Sequence, residues 1–250
     1  MHAPVLSVSH NSGGRMLPLA LIGSVLVAGC EIAAGPVAPL RVEIYTSEGC
    51  SSCPPAERWL NDLQPDDRQL MAFHVDYWDQ LGWPDRFADA QYTARQQQLA
   101  SRFARSVVYT PTVAVDGREW RRWRSAPLPA PLQSAADLAA SFHLDGGVLT
   151  VRARADRGQV YAAVTESGLT SKVKSGENAG RDLRHDHVVR AFSDVGRIAQ
   201  LPLPEDLDVA QSRVLVWTES PTGATLSGLS IALASVNRSD ATADQLCVPD

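Results

Sequence analysis

The most informative stretch of the chain is Arg41-Val-Glu-Ile-Tyr-Thr-Ser-Glu-Gly-Cys50-Ser-Ser-Cys53-Pro-Pro55-Ala-Glu-Arg-Trp-Leu60. Val42, Ile44, Tyr45 and Thr46 are β-branched or aromatic and predict a strand. Ser47, Glu48 and Gly49 break it. Two cysteines spaced C-x-x-C follow, directly before residues 56–63, which predict a helix. Pro54 and Pro55 suit the first turn of that helix, where a missing N–H costs little. A thiol at a helix N-terminus faces unpaired backbone N–H groups and the positive end of the helix dipole, and both favour a thiolate.

Downstream, residues 64–67 predict a turn. Residues 69–77 (QLMAFHVDY) are almost continuously apolar, as a buried parallel strand should be. A loop over 79–85 follows, then a helix over 87–105 with Phe87, Ala90, Ala94, Leu99 and Phe103 on its buried side. Residues 107–115 predict a strand, joined through Asp116-Gly117, a strong hairpin signal, to a second strand over 119–123. Residues 131–142 predict a last amphipathic helix. The order from 41 to 145 is β-α-β-α-β-β-α.

Strand, turn, C-x-x-C, helix resembles a thioredoxin-type redox site. The resemblance implies an α/β fold: a thioredoxin-like mixed sheet with helices on both faces. It also implies a cis proline opening the strand beside the cysteines, here Thr110-Pro111, although X-Pro bonds are cis in only ~5–6% of cases. The stretches SEGCSSCPPAE (47–57), FHVDYWDQLGWPDRF (73–87), YTPTVAVDG (109–117) and SGENAGRDL (175–183) go further. As a set they resemble a family of exported bacterial proteins with a thioredoxin-like domain, known only as a domain of unknown function.

By that likeness Cys50 is the exposed nucleophile and Cys53 the resolving thiol, with Thr110 and Pro111 as neighbours. Glu48 opposes a lowered thiol pKa if its charge lies close, and Ser51 and Ser52 offset it by hydrogen bonding. Thioredoxin carries a buried acid six residues before its first cysteine. Ile44 stands there, and Glu43 points to the other face. Asp76 is therefore the candidate proton acceptor, with His74 beside it, because both close a strand at the edge where ligands of parallel sheets gather. Tyr77, Trp78 and Trp83 either form a peptide-binding wall or pack the loop onto the sheet.

The N-terminus reads as an address. Residues 17–28 form an apolar run of 12, too short for the ~20 residues that span a bilayer but suited to a signal peptide. Val27-Ala28-Gly29-Cys30 resembles the lipobox of bacterial lipoproteins. That implies cleavage of 1–29, lipidation of Cys30 and a tether over 30–40; a plain secreted form, or a start at Met16, is the alternative. The expected location is the periplasmic side of the cell envelope, with membrane contact only through the lipid anchor. Disulfide chemistry is open to a protein there.

Gly146-Gly147 marks a boundary between the 41–145 domain and a smaller, mainly antiparallel β region over 146–240, followed by a tail over 241–250. In this region 148–154 and 159–165 are expected to pair. Gly176-Glu-Asn-Ala-Gly180-Arg181 is a turn that either recruits an anion or partner through Arg181 or is purely structural. His185-x-His187 places two imidazoles on one face of a strand, compatible with a metal but without a third ligand. Arg118, Arg121, Arg122 and Arg124 flank Trp120 and Trp123 and suit a solvated edge. Cys247 is either a free thiol or a partner for Cys30.

The chain has 250 residues, 44% apolar, and a net charge of −5, which gives no electrostatic case for nucleic acid. The functional expectation is a thiol–disulfide oxidoreductase without cofactor, acting on protein or small-molecule disulfides and thiols. Two alternatives stand beside it. One is a non-catalytic lipoprotein stapled by Cys50–Cys53 that binds a partner through its β region. The other is a Cu(I)-handling protein using both thiolates and His74.

Overall fold

Alternation of apolar and polar residues with period two builds most of this chain. The computed structural model describes residues 31–103 and 107–237. The first part runs β1 (Ile32–Ala33), β2 (Val37–Ala38), β3 (Leu40–Thr46), α1 (Pro54–Asn61), β4 (Arg68–His74), a 3-10 helix over Asp76–Leu81, α2 (Ala90–Ser101), β5 (Thr112–Val115) and β6 (Arg118–Glu119). The second part holds β7 (Leu132–Gln133), β8 (Leu138–Asp145), β9 (Val148–Ala155), β10 (Gln159–Glu166), β11 (Leu169–Lys172) and β12 (Asp182–His185). It ends with β13 (Val188–Asp194), β14 (Ile198–Pro202), β15 (Ser212–Glu219) and β16 (Thr225–Ala232).

The main sheet has eight strands in the order β16-β15-β10-β13-β4-β3-β5-β6. β3 and β4 pair in parallel, joined by α1, with Val42 opposite Leu70 and Ile44 opposite Ala72. β5 adds antiparallel to β3. β13 joins β4 in parallel at Val188 opposite Ala72, so both parts of the chain share one sheet. A second sheet, β1-β8-β9-β14, packs against the far half of the first.

Three apolar clusters follow from the alternation. Val42, Ile44, Leu70 and Ala72 face Ala56 and Leu60 of α1. Tyr45, Met71, Phe73, Leu215 and Trp217 point the other way, toward Tyr92 and Leu99 of α2. Ala162, Val164, Val214 and Val216 meet Leu138, Ala140, Leu149 and Val151 of the small sheet. One face of the main sheet is thus covered by α2, and the other is shared between α1 and the small sheet.

This overturns the expected fold class, a thioredoxin-like α/β sheet with helices on both faces and a smaller β region behind it. Among the described residues two short α-helices stand against sixteen strands, and the carboxy-terminal part supplies half of the main sheet. The helix expected over 131–142 is instead β7 and the start of β8. Its alanines suit a helix, but Leu138, Ala140, Phe142 and Leu144 alternate onto the small sheet's core. Gly146-Gly147 is the turn of the β8–β9 hairpin, with both residues at positive φ (53° and 76°). β9 pairs with β8 and β14, not with β10.

Helix α2 differs from expectation in its buried stripe. Ala90 and Ala94 are exposed, while Tyr92, Arg95, Gln96 and Leu99 are buried. Arg95 donates to Glu43 and to Glu219, at 2.6 Å each. Its guanidinium carbon lies 5.0 to 5.5 Å from the ring centres of Phe73, Tyr161, Phe192 and Trp217. Arg41 pairs with the same two carboxylates, at 2.9 Å for Glu43 and 2.8 Å for Glu219. This buried network ties β3 to β15 beneath α2. Among the described residues no helix is long and apolar enough to cross a membrane.

Candidate functional site

Cys50 and Cys53 form a disulfide with Cα atoms 5.4 Å apart. Cys53 is the N-cap of α1. Both cysteines are fully buried, which corrects the expectation of an exposed Cys50. Residues 51 and 52 beside them are exposed. The helix N-terminus also offers fewer free donors than its sequence suggests. Pro54 and Pro55 have no N–H, and the N–H groups of Ala56 and Glu57 both donate to the Cys53 carbonyl. The remaining nearby donor is Ser52, whose hydroxyl lies 3.3 Å from Cys50 Sγ and donates to the Thr110 carbonyl at 3.4 Å.

The Thr110–Pro111 bond is cis, as expected. Thr110 is held in turn by the Trp78 indole, which donates to its hydroxyl at 2.8 Å. Trp83 donates to the Glu48 carboxylate at 2.6 Å. Both tryptophans use their polar edge as struts for the cysteine turn. The Asp76 carboxylate accepts from Thr93 at 2.6 Å, bracing the 3-10 helix against α2.

The cover over the disulfide comes from the Gly176–Arg181 turn. Asn178 is fully buried and donates to the carbonyls of Glu48 (2.8 Å) and Cys50 (2.9 Å). Glu177, at the surface, accepts from the Ser51 amide (3.0 Å) and hydroxyl (2.7 Å). Those bonds hold its carboxyl below the usual range. Gly176, at φ +75°, packs against Trp83. Arg181 is exposed, and its amide donates to the Asn178 carbonyl at 3.1 Å, closing the turn.

Beside the cysteine turn lies a buried polar cluster. His74 Nδ1 sits 2.6 Å from Asp85 and His185 Nδ1 2.6 Å from Glu57. Asp85 also accepts from the Glu48 amide (2.8 Å), and Glu57 from the Thr46 hydroxyl (2.5 Å). The two imidazole rings stand 5.3 Å apart, edge to face. Burial alone would lower the His185 pKa, but Glu48 and Glu57 overturn that and hold it at about 10. Burial would raise Glu57 and Asp85, yet His185 and His74 respectively hold each below its usual range. His187 does not join His185 on a strand face. β12 ends at His185, and His187 adopts φ 59° outside any strand.

The four motif stretches therefore converge. Glu48, Cys50, Cys53 and Glu57 come from the first, His74, Trp78, Trp83 and Asp85 from the second, Thr110 and Pro111 from the third, and Glu177 and Asn178 from the fourth. A family model described as protein of unknown function (DUF1223) matches residues 41–220. The chain belongs to the DUF1223 family. All four stretches lie inside the matched DUF1223 region. No curated protein matches the chain. Its fold is similar to that of protein AGR_C_4864 from Agrobacterium tumefaciens, at 24% identity and TM-score 0.52, over 83% of this chain and 99% of that one. It is also similar to HBP35 of Porphyromonas gingivalis, at 11% identity and TM-score 0.55, over 87% of this chain and 82% of that one. Both likenesses concern the fold.

Sequence reasoning about this DUF1223 chain passed over Glu57, Asp85, Glu177, Asn178 and, as a partner of His74, His185. All but His185 sit within the quoted stretches, which was the available signal. Trp120 and Trp123 pack on the α1 side with Trp59, and Arg124 stacks on Trp123 at 4.1 Å. Cys30, Cys247, Met16 and the leader expected over 1–29 lie outside the described residues.

Proposed function

We propose that this protein exchanges thiols and disulfides through Cys50 and Cys53, after export, on the periplasmic side of the envelope, where Cys30 carries a lipid anchor. The observation that supports it is the placement of the disulfide. It bridges a turn and a helix N-cap, one hydroxyl away from the Thr110-Pro111 loop, with the exposed Ser51 and Ser52 between the two cysteines and the Glu177–Asn178 turn bonded to the same segment. A substrate thiolate attacks one sulfur, and a mixed disulfide forms as the other cysteine leaves as a thiolate. The substrate's second thiol then displaces the bound cysteine, leaving an oxidised substrate and a reduced Cys50/Cys53 pair; a substrate disulfide is reduced by the reverse steps. Protein and small-molecule disulfides are the substrates, and no cofactor is required. Because both sulfurs are buried, the covering turn must release before attack.

The test is reduction of insulin, or oxidation of a dithiol peptide, by the full-length protein. Activity lost in Cys50→Ser supports exchange, and equal activity in wild type and Cys50→Ser sinks it. The burial of both sulfurs favours a second reading, a structural staple in a partner-binding lipoprotein. A reduction potential below roughly −300 mV with no exchange activity would establish that reading instead.

A further inference from the structure

The buried cluster next to the cysteine turn has more acid than base. Glu48, Glu57 and Asp85 face two imidazoles, and all five side chains are nearly or fully buried. Asp85 and Glu57 each engage an Nδ1, and His74 Nε2 is left without a hydrogen bond. His185 Nε2 and Glu48 Oε1 face each other as an ion pair at 3.4 Å, outside hydrogen-bond geometry. Buried polar atoms without partners are rare and costly, and His74 Nε2 is one of them.

The geometry points to a divalent-cation site for a zinc-like ion, held by His74 and His185 with the carboxylates of Glu48 and Glu57. Glu57, His74 and His185 each offer a donor atom within 4.8 Å of the other two. Tetrahedral ligands ~2.0–2.2 Å from zinc stand roughly 3.4 Å from one another, the spacing already found between His185 Nε2 and Glu48 Oε1. The remaining donors need to close by a fraction of that distance. A dication with two carboxylates and two neutral imidazoles is charge-neutral, which removes the main penalty of burying ions. Asp85 on His74 Nδ1 is the outer carboxylate that orients a ligating imidazole. A cleft of ≈ 350 Å³ between α1 and β12, lined by Glu57, Asn61, Arg184 and Asp186, gives an entry path.

This site stands apart from the cysteine chemistry, and the test separates the two. Full-length protein, disulfide intact and freed of metal by a chelator, is titrated with Zn²⁺ and separately with Co²⁺, whose absorption reports nitrogen and oxygen ligands. The expected result is one bound equivalent of Zn²⁺. His185→Gln and His74→Gln should each weaken binding at least a hundredfold. Asp85→Asn, which leaves every ligand in place, should weaken it roughly 10–100-fold. The Cys50→Ser, Cys53→Ser double variant should bind as wild type does. Folded wild type that binds no Zn²⁺ or Co²⁺ overturns the site, as does binding unchanged in Asp85→Asn and both histidine variants, or binding lost in the double cysteine variant. If the histidine variants do not fold, the wild-type spectrum and Asp85→Asn decide alone.

Discussion

Asn178 donates its side-chain amide to the carbonyl of Cys50 at 2.9 Å, across 128 residues of sequence. The same amide bonds the Glu48 carbonyl, so one side chain clamps the turn that carries the disulfide. Asn178→Ala takes away the donor to the buried Glu48 carbonyl and one of two donors to the Cys50 carbonyl, which keeps the Cys53 amide, and should cost about 1–3 kcal/mol. It should also speed reduction of Cys50–Cys53 by dithiothreitol. Leu149→Ala, a core truncation in the small sheet, serves as a control for destabilisation alone. Equal reduction rates in the two variants would show that Asn178 does not guard the disulfide.

Arg95 is the hub between β3 and β15. Arg95→Met leaves Arg41 as the one fully buried cation facing both Glu43 and Glu219, and removing one partner of a buried ionic cluster costs about 3–5 kcal/mol. Arg95→Lys keeps the charge but loses the planar group that lies among four aromatic rings, so it should recover only part of that loss. Urea unfolding of the three proteins measures both steps.

Acid should release the same network from the other side. Burial alone would raise the Glu219 carboxyl, but Arg41 and Arg95 overturn it and hold it down at about 2. A depressed carboxyl adds stability that is fully present above its ordinary value near 4.5 and is lost as pH falls toward about 2. Wild-type stability should therefore decline over that window. Glu219→Gln should start lower and decline less, in thermal melts taken from pH 6 to about 2. Parallel slopes would remove Glu219 from this role.

Two glycines at positive φ should respond differently to the same change. Gly117, at φ +70°, would bring an added Cβ within 2.2 Å of the Gly223 carbonyl oxygen, which Arg41 also engages. Gly146, at φ +53°, has no heavy atom within 4 Å of that position. Gly146→Ala should cost only the left-handed backbone strain, about 1–2 kcal/mol. Gly117→Ala should cost clearly more, because backbone rather than a flexible side chain must move. Denaturant midpoints of the pair test the ranking.

Local signals carried much of the first half of the chain. β3, α1, β4 and the Asp116-Gly117 hairpin were legible because each depends on neighbours a few residues away, whereas the cis Thr110–Pro111 bond was expected from the likeness to a thioredoxin-type site. Leu138 to Leu144 shows how that fails. Alanine favours a helix, and the competing period of two was decided by a core that only the folded sheets create. Arg95 and Gln96 were absent from the expected buried stripe because buried polar residues take their partners from other segments of the chain. The site follows the same rule. Cys50, Cys53 and Pro111 were visible as motifs, while the roof formed by Asn178 and the pairing of His74 with His185 across the sheet arise from packing alone.

The parallel join between β13 and β4 bears on how the protein can be handled. It rests on Val188 beside Ala72 and on the Ala72 amide donating to the His187 carbonyl at 2.8 Å. It makes β4 an interior strand. A fragment ending at residue 146 would turn Arg68–His74, largely apolar and buried, into a bare sheet margin, the kind of template on which chains stack into aggregates. It would also strip Arg41 and Arg95 of Glu219. The amino-terminal half, despite holding the cysteines, is thus a poor candidate for separate expression, and solubility belongs to the uncut chain.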